Sequence, residues 1–231
     1  GTLGGGWSNA FGINAIGQAV GYSDIGDGSY HAFITGPNGA GMTDLGTLGG
    51  GDYSTARGIN ASGQVAGYSS TADGLFHAFI TGPNGVGMTD LGTLGGGASY
   101  AAGINDAGQV TGYSFTADGT RHAFITGPNG TGMTDLGTLG GSDSFAIGIN
   151  DAGQVIGHSL NAYGGRQAFV TGPNGLEMTD LNTGGWSNAI AINNMGQVIA
   201  TIVPEPESYA LMLAGLAFVG VMVRRKQEQK G

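Results

Sequence analysis

The chain contains no cysteine, and its first 203 residues contain no lysine. The first absence excludes disulfides, thiolate zinc sites and cysteine nucleophiles, and removes the usual clue to a redox compartment. The second excludes a P-loop from that region, because such a loop needs its lysine on the phosphates. Arg57, Arg121 and Arg166 are the only cations of residues 1–203, set against twelve aspartates and Glu177. So few cations cannot replace phosphate counterions, and nucleic acid is excluded as a partner. Proline is scarce, at 6 of 231 residues, while the 50 glycines follow no three-residue period, so a collagen helix is excluded. That much glycine also argues against long helices, since each interior glycine costs about 1 kcal/mol relative to alanine. Charged residues make up 10% and hydrophobic ones 40%, too apolar a balance for a solvated disordered chain.

What is present is a repeat. Gly-Pro-Asn-Gly begins at Gly36, Gly82, Gly127 and Gly172, at intervals of 46, 45 and 45 residues. His-Ala-Phe begins at His31, His77 and His122, and the fourth copy reads Gln167, Ala168, Phe169. Asp-Leu recurs at Asp44, Asp90, Asp135 and Asp180, and Ile-Asn at Ile13, Ile59, Ile104, Ile149 and Ile192. Four units follow, at about 1–45, 46–91, 92–136 and 137–181, with a partial fifth at 182–203. Gly-Thr-Leu-Gly-Gly opens the chain but follows Asp-Leu in later copies, so Gly1 falls inside a unit. The N-terminus is therefore expected to be truncated or processed, with any export signal lost.

Residues 97–141 serve as the specimen unit. Runs 101–105 and 109–114 flank an Asn-Asp-Ala-Gly turn and form a hairpin. A turn at 116–119 leads into a third strand at 122–126. Pro128, Asn129 and Gly130 then reverse the chain into a fourth strand at 133–139. The class is all-β, and four strands per 45–46 residues match one blade of a β-propeller, for which repeats run about 40–50 residues. Apolar neighbours such as Phe124 with Ile125 and Val155 with Ile156 point to burial on both faces, as in stacked blades. About five blades are expected, the last incomplete, its outer strands coming from lost N-terminal sequence or the unit staying open. The alternative is a β-solenoid, which also uses glycine turns and asparagine corners.

After Val203 the composition changes. Val203, Pro204, Glu205 and Pro206 open a stiff break over 204–208, since proline lacks a donor and disfavours helix before it. Residues 209–223 carry no charge, and Arg224, Arg225 and Lys226 follow at the head of a basic tail, 224–231. At 1.5 Å per residue the apolar helix is about 22 Å long, short of a hydrocarbon core of about 30 Å. Its flanks decide for a transmembrane span: the basic cluster obeys the positive-inside rule, long cationic stems extend the reach, and the glutamates suit the helix N-terminus. Arg224 then lies in the cytoplasm and the repeats across the bilayer.

Val-Pro-Glu-Pro, the apolar helix and Arg-Arg-Lys in that order resemble the PEP-CTERM sorting tail of Gram-negative bacteria. The resemblance implies recognition by the membrane enzyme exosortase, processing near Pro204 to Pro206, and delivery to the cell surface or an exopolysaccharide matrix. Before processing, the chain would sit anchored in the inner membrane. Residues 1 to about 200 resemble the HAF family of extracellular repeats, through His-Ala-Phe and the Asp-Leu-Gly-Thr-Leu-Gly-Gly string from Asp44 to Gly50. The fourth copy departs from it, with Gln167 for His and Asn182 for Gly. No biochemical activity comes with that resemblance.

A catalytic centre needs unlike residues on one spot, whereas residues recurring in every copy serve the unit itself. On that ground Asp44, Asp90, Asp135 and Asp180 read as turn caps rather than a cation ring. His31, His77 and His122 read as structural rather than as a metal set. Asp24, Asp27, Asp73 and Asp118 lie in or near Asp-Gly turns whose spacing matches neither the EF-hand loop nor the Gly-Gly-x-Gly-x-Asp nonapeptide, so turn chemistry is the reading. No metalloprotease, nucleophile-elbow or dinucleotide motif occurs, and neither cofactor nor metal is expected. Positions that break the repeat are better candidates for binding. Trp7 and Trp186, with Tyr53 and Tyr100, are aromatics able to stack on sugar rings, although burial as plugs between blades is the preferred reading, since Trp is highly buried on average. The three arginines serve as solubilising charges or partners for aspartate.

The sequence thus favours a noncatalytic surface or matrix protein engaged in adhesion or exopolysaccharide association. The rival is a secreted carbohydrate-active enzyme with aspartates at a propeller axis, and a third option is a calcium-stabilised scaffold.

Overall fold

A computed structural model describes residues 1–181 and 185–203, which are all β apart from short 3₁₀ turns. The first unit holds β1 (Ser8–Ile13), β2 (Ala19–Asp24), β3 (Tyr30–Ile34) and β4 (Thr43–Asp44), and the second β5 (Ser54–Ile59), β6 (Val65–Ser70), β7 (Phe76–Thr81) and β8 (Met88–Asp90). The third holds β9 (Gly95–Ile104), β10 (Val110–Thr116), β11 (Arg121–Thr126) and β12 (Met133–Asp135). The fourth holds β13 (Gly140–Ile149), β14 (Val155–Asn161), β15 (Arg166–Thr171) and β16 (Met178–Asp180). A fifth pairs β17 (Trp186–Ile192) with β18 (Val198–Val203). Strands within a unit run antiparallel in chain order, and units three and four also share a parallel bridge between Arg121 and Asp143.

The turn between third and fourth strands explains Gly-Pro-Asn-Gly. Pro37, Pro83, Pro128 and Pro173 open a 3₁₀ turn in which Asn38, Asn84, Asn129 and Asn174 sit at φ of 53 to 56°. Asparagine tolerates that left-handed region better than other residues with a Cβ. The fourth strand is shorter than the expected 133–139. It stops at Asp135, whose carboxylate accepts the N–H of Gly137 at 2.7 Å and turns the chain towards the next unit.

The core lies between units rather than inside them. Val20, Ala32, Ile34 and Leu48 meet Ala56, Val65 and Phe79, and the same set recurs between units two and three and between three and four. His-Ala-Phe-Ile therefore reads by period two: Ala78 and Ile80 face the following unit while Phe79 faces the preceding one. Phe79, Phe124 and Phe169 are fully buried, each contributing roughly 1.5–3 kcal/mol. The fourth junction is smaller, because the fifth unit has no described third strand.

Polar struts fix the register between units. Asn14, Asn60, Asn105 and Asn150 each donate a side-chain N–H to the main-chain carbonyl of the matching asparagine one unit on, at 3.0 to 3.2 Å. Ala32, Ala78, Ala123 and Ala168 donate their backbone N–H to the serine hydroxyl of the next first strand, at 2.8 to 2.9 Å. Each first strand also carries a bulge at one fixed place, leaving Phe11, Arg57, Ala102, Ile147 and Ile190 as the extra residue.

Candidate functional site

Gly-Tyr-Ser recurs in the second strands at Tyr22, Tyr68 and Tyr113, with His158 in the fourth place. The following serines are buried, so by alternation the preceding rings stand on the other face, where they are half-buried. The glycine is required by close pairing: a Cβ on Gly112 would lie 1.9 Å from the carbonyl oxygen of Tyr100. In the third unit Tyr113 pairs across the strands with Tyr100, and in the fourth His158 pairs with Phe145.

These rings form one continuous row over four units. From Trp7 it passes through Tyr22, Tyr53 and Tyr68 to Tyr100, Tyr113, Phe145 and His158, with centroid separations between 5.0 and 6.3 Å. Such pairs contribute about 0.5–1.5 kcal/mol each beyond area burial. From Tyr68 to His158 the row lines an open cleft of about 450 Å³ that also takes in Arg57 and the bulge residues Ala102 and Ile147. An adjoining hollow of about 180 Å³ shares Phe145 and His158 and is lined by Arg121, Asp143 and Arg166.

Of the expected contact aromatics, Trp7, Tyr53 and Tyr100 belong to this row. Trp186 does not, standing 56% exposed on β17 with no ring partner among the described residues. Tyr22, Tyr68, Tyr113, Phe145 and His158 are the rings of the row that sequence reasoning missed. The signal that could have found four of them is the recurring Gly-Tyr-Ser, with His158 in its fourth copy.

Burial pushes the Tyr53 phenol up to about 12, helped by Tyr68 and Tyr22, and also raises Tyr100 and Tyr113. Burial, then the positive charge of Arg166, lowers His158 to about 4, so its imidazole is neutral at neutral pH. Arg166 donates to that ring at 2.8 Å. Arg57 lies over Phe11 and Tyr68, at 4.5 and 5.4 Å from their centroids, and donates to the Tyr68 hydroxyl at 3.0 Å. Arg121 lies over Phe145 and pairs with Asp143 at 2.7 Å. Burial acts to raise the Asp143 carboxyl, but the Ser142 hydroxyl and Arg121 outweigh it and leave it below its ordinary value. Only Arg121 thus meets the expectation of an aspartate partner.

The repeated acids and histidines pair with each other. Nδ1 of His31, His77 and His122 lies 2.8 Å from a carboxylate oxygen of Asp44, Asp90 and Asp135, whose second oxygen accepts the N–H of Gly46, Gly92 and Gly137. Thr120 Oγ1 lies 3.4 Å from His122 Nε2, a nucleophile-base-acid order, but that hydroxyl is engaged with Asp118 and Thr116. Asp24 accepts the N–H groups of Gly6 and Gly26, Asp27 that of Ser29, and Asp73 the Thr71 hydroxyl, so these acids do turn chemistry. Asp118, bonded to Thr116 and Thr120, is held down at about 2. A second hollow, of about 280 Å³, is ringed by the asparagine ladder with Asp106 and Asp151. Those carboxylates accept N–H groups of the preceding unit, from Ala61 and Asp106. Among the described residues no three His, Asp or Glu side chains converge on one point.

Of the sorting residues only Val203 is described, at the end of β18. Pro204, Glu205, Pro206, the expected span 209–223 and Arg224, Arg225 and Lys226 lie outside the described residues. No helix among the described residues is long and apolar enough to cross a membrane.

Residues 203–226 match the family model of the PEP-CTERM protein-sorting motif. This motif is a substrate signal for exosortase, a membrane processing enzyme, and implies export, anchoring before processing and sorting to the cell surface. No curated protein matches the chain. Among solved structures it is similar to that of putative TolB from Agrobacterium tumefaciens, at 13% identity and a TM-score of 0.60, over 86% of this chain and 76% of that one. At that identity the likeness is one of fold alone.

Proposed function

We propose that the protein is a noncatalytic component of the cell surface or extracellular matrix, sorted by its tail and attached to polysaccharide through its repeat domain. The observation that carries this reading is the unbroken row of rings from Trp7 to His158, whose part from Tyr68 onward lines an open cleft. Rings in series offer large apolar area at small entropic cost, which suits a chain of sugar faces. The acids support the noncatalytic part, since Asp44, Asp90, Asp135, Asp106 and Asp151 are each held by backbone N–H groups. In the same reading the units are blades of an HAF-type propeller of about five, around an axis marked by the mutually packed first strands β1, β5, β9, β13 and β17. That arrangement is preferred to a solenoid because antiparallel four-stranded sheets stack face to face.

The test is co-sedimentation of the full chain with exopolysaccharide from the producing cells, with release of reducing ends assayed in parallel. Binding without hydrolysis is expected. Hydrolysis that disappears in Asp106→Asn or Asp151→Asn would instead establish the enzyme reading.

A further inference from the structure

The region 1–203 has three cations in all, and all three stand at the aromatic cleft or the hollow beside it. Their sequence separations, 64 and 45 residues, place them in units two, three and four, so no local pattern groups them. Elsewhere the surface is acidic. Arg57 occupies a bulge that turns its side chain onto the ring face, and Arg121 and Arg166 take equivalent places at the start of β11 and β15.

Two of these charges are not neutralised. Among the described residues Arg121 alone has a carboxylate partner, Asp143, and Asp143 is the one acid lining either hollow. Arg57 uses one N–H on the Tyr68 hydroxyl, which leaves four of the five guanidinium donors open. Arg166 donates to a neutral imidazole, and its Nε is buried with no hydrogen-bond partner. Neither Arg57 nor Arg166 thus has its charge met by a carboxylate among the described residues, and the guanidinium of each can take an incoming one.

We infer that the cleft and the hollow beside it bind a carboxylated polysaccharide, its uronate rings lying on Tyr68, Tyr100, Tyr113 and Phe145 and its carboxylates meeting Arg57 in the cleft and Arg166 in the hollow. The guanidinium fork matches a carboxylate with two parallel N–H donors, a match that a hydroxyl of a neutral sugar does not give. The rings supply contact with the apolar sugar face and the arginines supply the choice of charge. The remaining acidic surface repels an anionic polymer and so confines it to this track. This inference rests on the proposed attachment to polysaccharide and names its ligand class.

The experiment is calorimetric titration of the full chain, in detergent, with alginate and with the same alginate after chemical reduction of its carboxyl groups. Alginate is expected to bind at least tenfold more tightly than the reduced polymer, with affinity falling as salt is raised. Arg57→Gln and Arg166→Gln, each checked for an unchanged melting temperature, are expected to weaken alginate alone by about tenfold. Equal affinity for both polymers overturns the charge selection but leaves attachment to polysaccharide standing. Failure to bind either polymer, together with failure to sediment with the native exopolysaccharide, overturns both. The two polymers are compared on the unmodified protein, so the result does not depend on any variant folding.

Discussion

The guanidinium carbon of Arg57 lies 4.5 Å from the ring centroid of Phe11, and both are the extra residue of a bulge at the same place in successive units. The contact therefore joins two copies of one position whose identity the repeat leaves free. Later copies hold Ala102, Ile147 and Ile190. Where a bulge lifts a side chain out of strand alternation, the packing between units no longer dictates it. The scaffold stays constant while the displayed chemistry changes.

The asparagine ladder predicts unequal costs for the same substitution. Asn105 is buried and bridges to Asn150 while holding both ends of Gln109, so Asn105→Ala is expected to lose about 2–3 kcal/mol. Asn193 is exposed and holds only its own hairpin, so Asn193→Ala should lose about 1 kcal/mol. Urea unfolding measures both, and equal losses would remove the ladder from the account.

Close strand pairing predicts that Gly112→Ala costs about 3 kcal/mol, because its Cβ would meet the Tyr100 carbonyl and the strands must part. Gly119, in an open turn at φ +86°, should accept asparagine for about 1 kcal/mol. Melting temperatures of the two variants give the comparison.

His158 predicts a pH dependence of stability. Its folded value, about 4, lies below the ordinary 6.5, so the unfolded chain takes up the proton first as pH falls. The stability tied to the neutral ring is complete above about pH 6.5 and is lost progressively down to about pH 4. His158→Tyr restores the residue found at Tyr68 and Tyr113, and subtracting its stability curve from that of the parent should isolate this slope. Parallel curves between pH 4 and 6.5 would contradict the assignment.

The sorting motif predicts that Pro204→Ala with Pro206→Ala leaves the tail unprocessed and the chain in the membrane fraction. Mass spectrometry of the C-terminus after cell fractionation reads both. Normal processing of that variant would place the recognition elsewhere than in Pro-Glu-Pro.

Much of this architecture is legible in the sequence. The 45–46-residue period, the hairpins and the Pro-Asn-Gly turns follow from residues whose backbone preferences are local. The burial of Phe124 and Ile125 on opposite faces follows from alternation. What stayed hidden depends on pairing between strands. The partnership of His77 with Asp90 crosses thirteen residues and needs the register of β7 on β8. The bulge at Arg57 exists only relative to β6. The short fourth strand also eluded reading, because the Asp135 carboxylate competes locally for the Gly137 N–H. Tyr68 and Tyr113 recur in the sequence without marking a surface, because only the stacking of units joins such repeated rings into one row.

The most direct test is the affinity of the full chain for its own matrix polysaccharide, measured by calorimetry before and after the paired change Tyr100→Ala and Tyr113→Ala, with circular dichroism confirming the β fold. Loss of these two rings from the middle of the row should weaken binding by at least about tenfold, or ~1.4 kcal/mol. Undiminished affinity in the folded variant would mean that the aromatic row is not where polysaccharide is held.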